Sequence, residues 1–299
     1  MDVGDGRSLP DRPGGRRTSR RRRSPLAAAL PALLVLCFLF GAVSPAGASS
    51  APGKPVAKAP KGAITTSTPT FKWSKASGAA KYELRAYKGS RLLRKKTGIT
   101  KLSWKSSKAL PGKVGLTWKV RGTNARGKGA WSTSLTFKVV SIGTIYQGGE
   151  IAYILHSGDP GYVAGQTHGL IAAAADQSAG IWWYNGADTV TGATGTALGT
   201  GSANTTTIIA AQGAVELSYA AGVARAYTNA GYNDWYLPSK DELNKLYLSQ
   251  AALGGFVSVD YWSSSEGAAN YALYQDFGTG DQGGSSKDGV LRVRAVRAF

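Results

Sequence analysis

Apolar and polar residues alternate in short runs between residues 63 and 140, with turn residues between the runs. Phe71 and Trp73 alternate with polar neighbours, and the same alternation recurs around Tyr82, Trp118 and Phe137. Alternation with a period of two places successive side chains on opposite faces of a strand. About seven such segments therefore predict an all-β sandwich.

The pattern changes after residue 140, where glycine, small polar and aromatic residues dominate. Apolar residues at helical spacing predict a helix over 214–229. A second helix is predicted after Leu237-Pro238, where Ser239 and Glu242 form an S-x-x-E capping box. Strands are predicted at 150–155, 260–264, 271–277 and 290–296. Few helices among scattered strands predict an α+β fold.

The N-terminal segment has the order of a secretory signal peptide. Residues 1–25 are Arg-rich, residues 26–43 are apolar, and Ala46-Gly47-Ala48 is a small-x-small cleavage signal. The apolar run could also remain as an uncleaved anchor, although the cleavage signal favours removal. Either way we expect a secreted or cell-surface protein, in contact with a membrane only through this segment if it is uncleaved. Cys37, the only cysteine, lies within the run.

Charge divides the chain further. Residues 51–140 carry 21 Lys and Arg and a single acid, Glu83, whereas residues 141–299 carry 7 basic and 13 acidic residues. A content of 42% hydrophobic and 18% charged residues excludes a disordered chain. We predict a signal peptide, a linker rich in Pro, Lys and Ala, a basic sandwich and a C-terminal domain, with boundaries at 1–48, 49–62, 63–140 and 141–299.

The outward positions of the sandwich predict a cationic surface. If the aromatic residues of the alternating runs point inward, basic residues share the opposite face, with more on an adjoining hairpin. The predicted polyanion-binding residues are Lys81, Arg85, Arg94, Lys95, Lys96, Lys119 and Arg121. Self-repulsion opposes folding unless anions condense on such a surface, so we expect envelope polyanions such as teichoic acid or acidic polysaccharide as partners, with nucleic acid less favoured. A solvated face on an exported spacer is the alternative. Trp104 and Trp131 are expected in the core.

Several strings resemble known families. PTFKWSKASGAAKYELRAY and LTWKVRGTNARGKGAWS resemble a fibronectin type III domain of bacterial surface proteins. HGLIAAAADQSAGIWWYNG, GYNDWYLPSKDELNKLY, YWSSSE and VRAVRAF, in this order, resemble the C-terminal domain family of the Legionella collagen-like adhesin, also known as domain of unknown function 1566. That family is similar to the C-type lectin-like fold shared with the formylglycine-generating enzyme. The resemblance implies an all-β fibronectin type III-like sandwich followed by an α+β C-type lectin-like domain, in an exported binding protein. Sulfated or acidic glycans are a ligand class of one family member.

The resemblance also implies where a ligand would bind, since C-type lectin-like folds bind on long loops and on the last strands. Matching positions are the Trp182–Tyr184 loop and segments within 265–292. The implied ligand-binding residues offer aromatic, amide and charged groups suited to sugars. They are Trp183, Tyr271, Tyr274, Gln275, Asp281, Lys287 and Arg292. For each, an exposed loop position without a ligand is the alternative, whereas Trp235, Tyr261 and Trp262 are expected to be structural.

Patterns for catalysis are missing from the sequence. His156 and His168 lack metal-site spacing, and the glycine-rich stretch 195–204 lacks the lysine of a phosphate loop, so it is predicted to be a tight surface turn. The enzymatic relative holds copper with paired cysteines, which this chain lacks after residue 37. We predict a non-enzymatic adhesin without a cofactor or metal. A protein-binding or envelope-assembly module with diversified loops and an enzyme of unknown chemistry on the same fold are the alternatives.

Overall fold

The computed structural model of the protein describes residues 50–213 and 217–299. The predicted signal peptide, Cys37 and positions 214–216 of the first predicted helix lie outside these ranges. Residues Ser49–Phe299 form one compact unit, which is mainly β-strand. Within the described ranges, no helix is both long and apolar enough to cross a membrane.

Two facing sheets form the sandwich, as the alternating pattern predicts. The larger sheet has the strand order β2-β9-β7-β4-β5, with β8 paired to β7, and the smaller has the order β1-β3-β6. The strands are β1 (Ala57–Ala59), β2 (Gly62–Ile64), β3 (Thr70–Trp73), β4 (Lys81–Lys88), β5 (Arg91–Ile99), β6 (Ser103–Lys105), β7 (Gly115–Asn124), β8 (Gly127–Lys128) and β9 (Leu135–Val139). Phe71, Trp73, Tyr82, Trp118 and Phe137 meet in the core, so the predicted inward set is confirmed.

The segment 49–62, predicted as a linker, contributes edge strands to both sheets. β1 pairs antiparallel with β3, and β2 pairs parallel with β9. Pro60, between them, accepts a hydrogen bond from the buried indole nitrogen of Trp118 at 2.9 Å. The alternation of small and polar residues was too short to predict strands, and pairing with existing sheet edges supplies the missing stabilisation.

The C-terminal part contains two further sheets and three helices within the described residues. A four-stranded sheet has the order β10-β11-β12-β18, and a five-stranded sheet has the order β13-β17-β14-β15-β16. The strands are β10 (Ile145–Tyr146), β11 (Gly149–Ile154), β12 (Gly169–Ala172), β13 (Ser178–Ile181), β14 (Asp260–Glu266), β15 (Tyr271–Asp276), β16 (Gln282–Ser286), β17 (Leu291–Val293) and β18 (Val296–Ala298). The four predicted strands are present, but the last is divided between the two sheets at Arg294-Ala295.

Three helices pack on these sheets: α1 (Gly201–Gln212), α2 (Ala220–Ala226) and α3 (Lys240–Leu253). The capping box before α3 is confirmed, because the Ser239 side chain accepts from the Glu242 amide at 3.3 Å while Glu242 accepts from the Ser239 amide at 2.9 Å. α2 occupies only part of the predicted 214–229. α1 begins at Gly201, inside the stretch 195–204 that is predicted to be a turn. The prediction is wrong for 201–204, whereas residues 198–199 do form a turn.

The sandwich and the C-terminal part share apolar contacts. Val140, directly after β9, belongs to the same buried cluster as Trp183, Trp235 and Trp262, and Ala63 of β2 packs against that cluster. Trp235, Tyr261 and Trp262 are fully buried, which confirms their predicted structural role. At the same junction the amine of Lys138 donates to the carbonyl oxygen of Ile145 at 2.6 Å.

Candidate functional site

A cationic surface covers the outward side of β4, β5 and β7. Register places Lys95 opposite Arg85, Arg85 opposite Lys119, and Glu83 opposite Arg121, so these side chains share one side of the sheet. Lys81 lies on the same side at the start of β4. We call this surface the cationic face; it comprises Lys81, Glu83, Arg85, Lys95, Lys119, Arg121 and the neighbouring Trp131.

Glu83 is buried in the middle of the cationic face. Its carboxylate accepts from Arg85 Nε at 2.9 Å and from Arg121 Nη2 at 2.6 Å. Burial opposes the ionisation of Glu83, but the hydrogen bonds from Arg121 and Arg85 outweigh it and lower the pKa of the carboxyl below its ordinary value. Two of the predicted polyanion-binding residues are therefore engaged with the single acid of the sandwich.

Trp131 lies over this cluster and not in the core, contrary to the prediction. The centre of its ring is 4.2 Å from the guanidinium carbon of Arg121. It is 5.1 Å from the guanidinium carbon of Arg85 and also 5.1 Å from the amine of Lys119. These separations are those of cation–π contacts. Trp104, in contrast, packs against Phe71 at the edge of the core, with ring centres 5.8 Å apart.

The remaining lysines of the cationic face are available to an anion. Lys81 and Lys95 are exposed, and neither they nor Lys119 forms an ion pair with any described residue. Lys119 is half-buried, with its amine 5.6 Å from the centre of the Tyr87 ring. The cationic face thus keeps an uncompensated positive charge.

Arg94 and Lys96 do not join the cationic face, although both were predicted to bind polyanions with it. In the register of β4 and β5 they lie opposite Ala86 and Leu84, whose side chains face the core. Arg94 donates instead to the carbonyl oxygen of Ala109 at 2.5 Å. The predicted surface was too wide because alternation along β5 sends neighbouring cations to opposite sides of the sheet.

Three of the ligand-binding residues implied by the resemblance are buried. Trp183 is fully buried and its indole nitrogen donates to the carbonyl oxygen of Ser263 at 2.8 Å. Its neighbour Trp182 is 46% exposed and packs beside Tyr184, with ring centres 6.0 Å apart. The exposed member of the tryptophan pair is therefore Trp182, and the predicted residue, Trp183, is closed off from a ligand.

Lys287 forms a buried ion pair and is not a surface ligand residue. Its amine lies 2.6 Å from Glu266 and 2.8 Å from the carbonyl oxygen of Thr189. Glu266 also accepts from the amides of Thr191 and Gly192 at 2.8 Å. The pair ties the end of β14, the segment after β16 and the 189–192 loop together.

Gln275 is buried too, and its amide nitrogen donates to the carbonyl oxygen of Gly280 at 2.7 Å. This bond closes the turn between β15 and β16. Asp281, at the end of that turn, is exposed and accepts from the hydroxyl of Thr279 at 2.9 Å. Arg292 is half-buried and pairs with Asp176 at 2.8 Å. Gln275 and Arg292 thus have structural partners, while Asp281 stays accessible.

The two predicted tyrosines differ in exposure. Tyr271 is 40% exposed, and its ring lies across the backbone of Gly267 and Gly284; a Cβ at Gly284 would come within 2.8 Å of it. Tyr274 lies opposite Trp262 and is half-buried against the core. Within the implied binding segments, 182–184 and 265–292, Tyr271 and Trp182 are therefore the exposed aromatic residues.

A cavity of about 480 Å³ is lined by Asp234, Tyr236, Glu242 and His168, together with apolar residues. Burial raises the pKa of the Glu242 carboxyl despite hydrogen bonds from the backbone of Ser239 and Gly199. The bond from Ser239 belongs to the cap of α3, and the bond from Gly199 ties the loop before α1 to that cap. In the described part of the chain, no group of three or more His, Cys, Asp or Glu side chains is placed to hold a metal ion.

Residues 172–297 match the family model of the Lcl C-terminal domain. Among solved structures, an Fn3-like protein from Clostridium thermocellum is 15% identical, covering 32% of this chain and 98% of that chain with a TM-score of 0.25. The FN5 domain of Drosophila Lar is 18% identical, with 30% and 98% coverage and a TM-score of 0.25. The fibronectin type-III domain of human fibronectin type III domain containing protein 3 is 23% identical, with 31% and 90% coverage and a TM-score of 0.25.

No curated protein matches the chain. The family match runs from the end of β12 into β18 and includes Glu266, Lys287 and Arg292. The C-terminal part of the chain is thus similar to the Lcl C-terminal domain.

Proposed function

We propose that the protein is an exported, non-enzymatic adhesin that holds an acidic polysaccharide on the cationic face. The observation that carries this proposal is the position of Glu83. Because the single acid of the sandwich is buried between Arg85 and Arg121, it cannot neutralise the lysines around it. A bound polymer with repeated negative charges would compensate them.

The spacing of the lysines suits a polymer. Neighbouring strands are about 4.8 Å apart, so Lys95 and Lys119, two strands apart, are separated by about 10 Å at the backbone. Sulfate, carboxylate or phosphate groups along one chain can meet such a row successively. Trp131 adds a partly exposed ring beside the row, against which the apolar face of a sugar can pack.

In this proposal the C-terminal part is a C-type lectin-like module of the domain-of-unknown-function-1566 kind that presents a second binding surface. The match of residues 172–297 supports it. Tyr271 and Trp182, which are exposed although large and aromatic, are its preferred sugar contacts. Lys287 and Glu266 position the loops around that surface without contacting the glycan.

The test is the salt dependence of binding to heparin. Contacts with a polyanion release counterions, so the logarithm of the binding constant falls linearly with the logarithm of salt, by roughly 0.7–0.9 per contact in nucleic acids. Replacing Lys81, Lys95 and Lys119 by Gln should reduce that slope by about two. The matched control replaces Lys101, Lys105 and Lys108, which are exposed and lie outside the cationic face. Equal slopes for the two triple variants would exclude the cationic face as the binding surface.

A further inference from the structure

A cleft of about 900 Å³ lies where the sandwich meets the C-terminal part. Its sandwich wall carries three exposed lysines, Lys58, Lys61 and Lys72. Its other wall carries the half-buried rings of Tyr146 and Phe299, whose centres are 5.4 Å apart. None of the residues that line this cleft in the described ranges is acidic. Concave sites of this volume between domains commonly bind ligands.

Hydrogen-bond donors on the C-terminal wall lack partners. Gln147 accepts from Arg297 at 2.7 Å through its oxygen, and Gln166 faces the Nε2 atom of His168 at 3.1 Å through its oxygen. Both amide nitrogens are left without a hydrogen bond to any described residue. The Nδ1 atom of His168 lies 3.1 Å from the main-chain oxygen of Phe299, which fixes the imidazole at the cleft. Free amide donors can bind sugar hydroxyls and anionic oxygens.

The cleft continues the cationic face. Thr136 of β9 lines the cleft and lies opposite Thr117 of β7, which shares its side of the sheet with Lys119. An extended polysaccharide chain can therefore run from Lys119 of β7 across β9 into the cleft. The contact between Lys138 and Ile145 closes one side of this path.

We propose that this cleft binds one segment of an acidic polysaccharide, with its sulfate or carboxylate groups on Lys58, Lys61 and Lys72 and its hydroxyls on Gln147 and Gln166. The proposal rests on the proposed function, because it assigns the same polymer a second contact. The lysine wall selects for negative charge, and the rings of Tyr146 and Phe299 offer an apolar surface to the sugar. The site thereby distinguishes a charged sugar chain from a small inorganic anion, which needs no second wall.

The first measurement is the affinity of the full chain for a heparin hexasaccharide, by calorimetry at fixed salt. Every variant keeps the N-terminal segment, so its arginines contribute equally. Replacing Lys58, Lys61 and Lys72 by Gln should weaken binding by about tenfold, since three exposed charge contacts are lost. The control replaces Lys88, Arg91 and Arg126, three exposed cations outside the cleft, and should weaken binding by no more than about threefold.

The second measurement uses the two histidines, because the chain contains no others. His168 lines the cleft and His156 does not. The hexasaccharide should therefore change the chemical shifts of the imidazole NMR signals of His168 more than those of His156. A His156→Asn variant assigns the signals. The cleft triple variant should lose the His168 shift, and the control triple should retain it.

The outcomes separate the two proposals. If the hexasaccharide binds but the cleft triple matches the control, or the His168 signals stay fixed, the cleft is not the site and the proposed function stands. If neither heparin nor polygalacturonate binds the unaltered chain, both proposals fail. If an oligo-dT of equal charge shifts His168 as strongly, the assignment to a sugar is wrong, because the site then reads charge alone.

Discussion

The amine of Lys287 and the carboxylate of Glu266 lie 2.6 Å apart with both side chains removed from water. The centre of the Trp183 ring lies 4.7 Å from the amine, and the backbone amide of Thr191 in the neighbouring loop donates a hydrogen bond to the carboxylate. Removing one member of a buried pair leaves the other charge without compensation. Lys287→Met should therefore lower the free energy of unfolding by about 3–5 kcal/mol, measured by urea denaturation.

Two variants control this prediction. Lys240→Met removes a lysine whose amine is 3.9 Å from Asp241 with both side chains partly exposed, and it should have little effect. The double variant Lys287→Met, Glu266→Gln should recover part of the loss. Equal effects of Lys287→Met and Lys240→Met would show that the buried pair does not hold the loops.

The same pair predicts a pH dependence. Burial opposes the ionisation of Glu266, but hydrogen bonds from Lys287, Thr191 and Gly192 outweigh it and lower the pKa of this carboxyl. A carboxyl whose pKa is lower in the folded than in the unfolded state stabilises the fold at pH values above its unfolded-state pKa. This stabilisation is lost as the pH falls through the folded-state pKa. Between pH 5 and pH 3, roughly, the unfolding free energy should fall more steeply in the natural chain than in Glu266→Gln.

The pKa of Glu242 is shifted in the opposite direction to that of Glu266, so its contribution to stability depends on pH in the opposite way. Because burial raises the pKa of Glu242, the folded state holds its proton more tightly than the unfolded state, and this contribution is lost as pH rises through the folded value. Glu242→Gln should accordingly gain stability relative to the natural chain as pH rises from acid to neutral. Parallel pH profiles for the two Gln variants would contradict both assignments.

On the cationic face, Arg121 should matter for stability and Lys81 should not. Arg121→Gln removes the two hydrogen bonds, of 3.0 and 2.6 Å, that Arg121 donates to the buried Glu83. The free energy of unfolding, measured by thermal or urea denaturation, should fall by about 2 kcal/mol. Lys81→Gln, on the same face but exposed, should change stability by less than about 0.5 kcal/mol. If both variants unfold like the natural chain, Glu83 does not depend on its arginine partners.

The tryptophan pair gives a matched comparison at adjacent positions. Trp183→Ala should cost about 3–5 kcal/mol because a fully buried ring and its bond to Ser263 are lost. Trp182→Ala should cost less than about 1 kcal/mol while weakening capture on a glycan array. Thermal unfolding and the array are measured on the same preparations; a destabilised Trp182→Ala would place that ring in the core.

Local sequence patterns correctly predicted those strands and helix ends that are determined by residues within the element itself. The alternation around Phe71 and Trp118 predicted strands with the observed inward set, and the Ser239–Glu242 box predicted the start of α3. α1 was missed because its buried face holds Asn204 and Thr205, which are polar. They bond to partners distant in sequence: the Thr205 hydroxyl accepts from the Leu237 amide at 3.0 Å, and the Asn204 side-chain amide donates to the Ser264 hydroxyl at 3.3 Å. No periodicity of apolar residues reports such a helix.

The predictions for the buried residues Trp183, Gln275 and Lys287 failed for a related reason. Lys287 and Glu266 look like loop residues in the sequence, since nothing local shows that they meet across 21 positions. For Trp182 and Trp183 a signal existed: the two directly follow a strand, and adjacent side chains of a strand face opposite sides, a pattern that exposes one ring more than the other. The sequence alone does not predict which of the two rings is the more exposed, because that depends on the sheet that β13 joins.

The parallel pairing of β2 with β9 determines how the sandwich would carry mechanical force. Gly62, Ala63 and Ile64 pair with Phe137, Lys138 and Val139, and the C-terminal part follows directly from β9. A pull on the chain before β2, opposed by a pull on that C-terminal part, acts along the two strands in opposite directions. Such a load shears the backbone hydrogen bonds together, whereas a hairpin loaded at its open end would lose them singly. If the proposed adhesin is tethered through the chain before β2 and loaded through its C-terminal part, the β2–β9 ladder thus meets fluid drag in the stronger geometry.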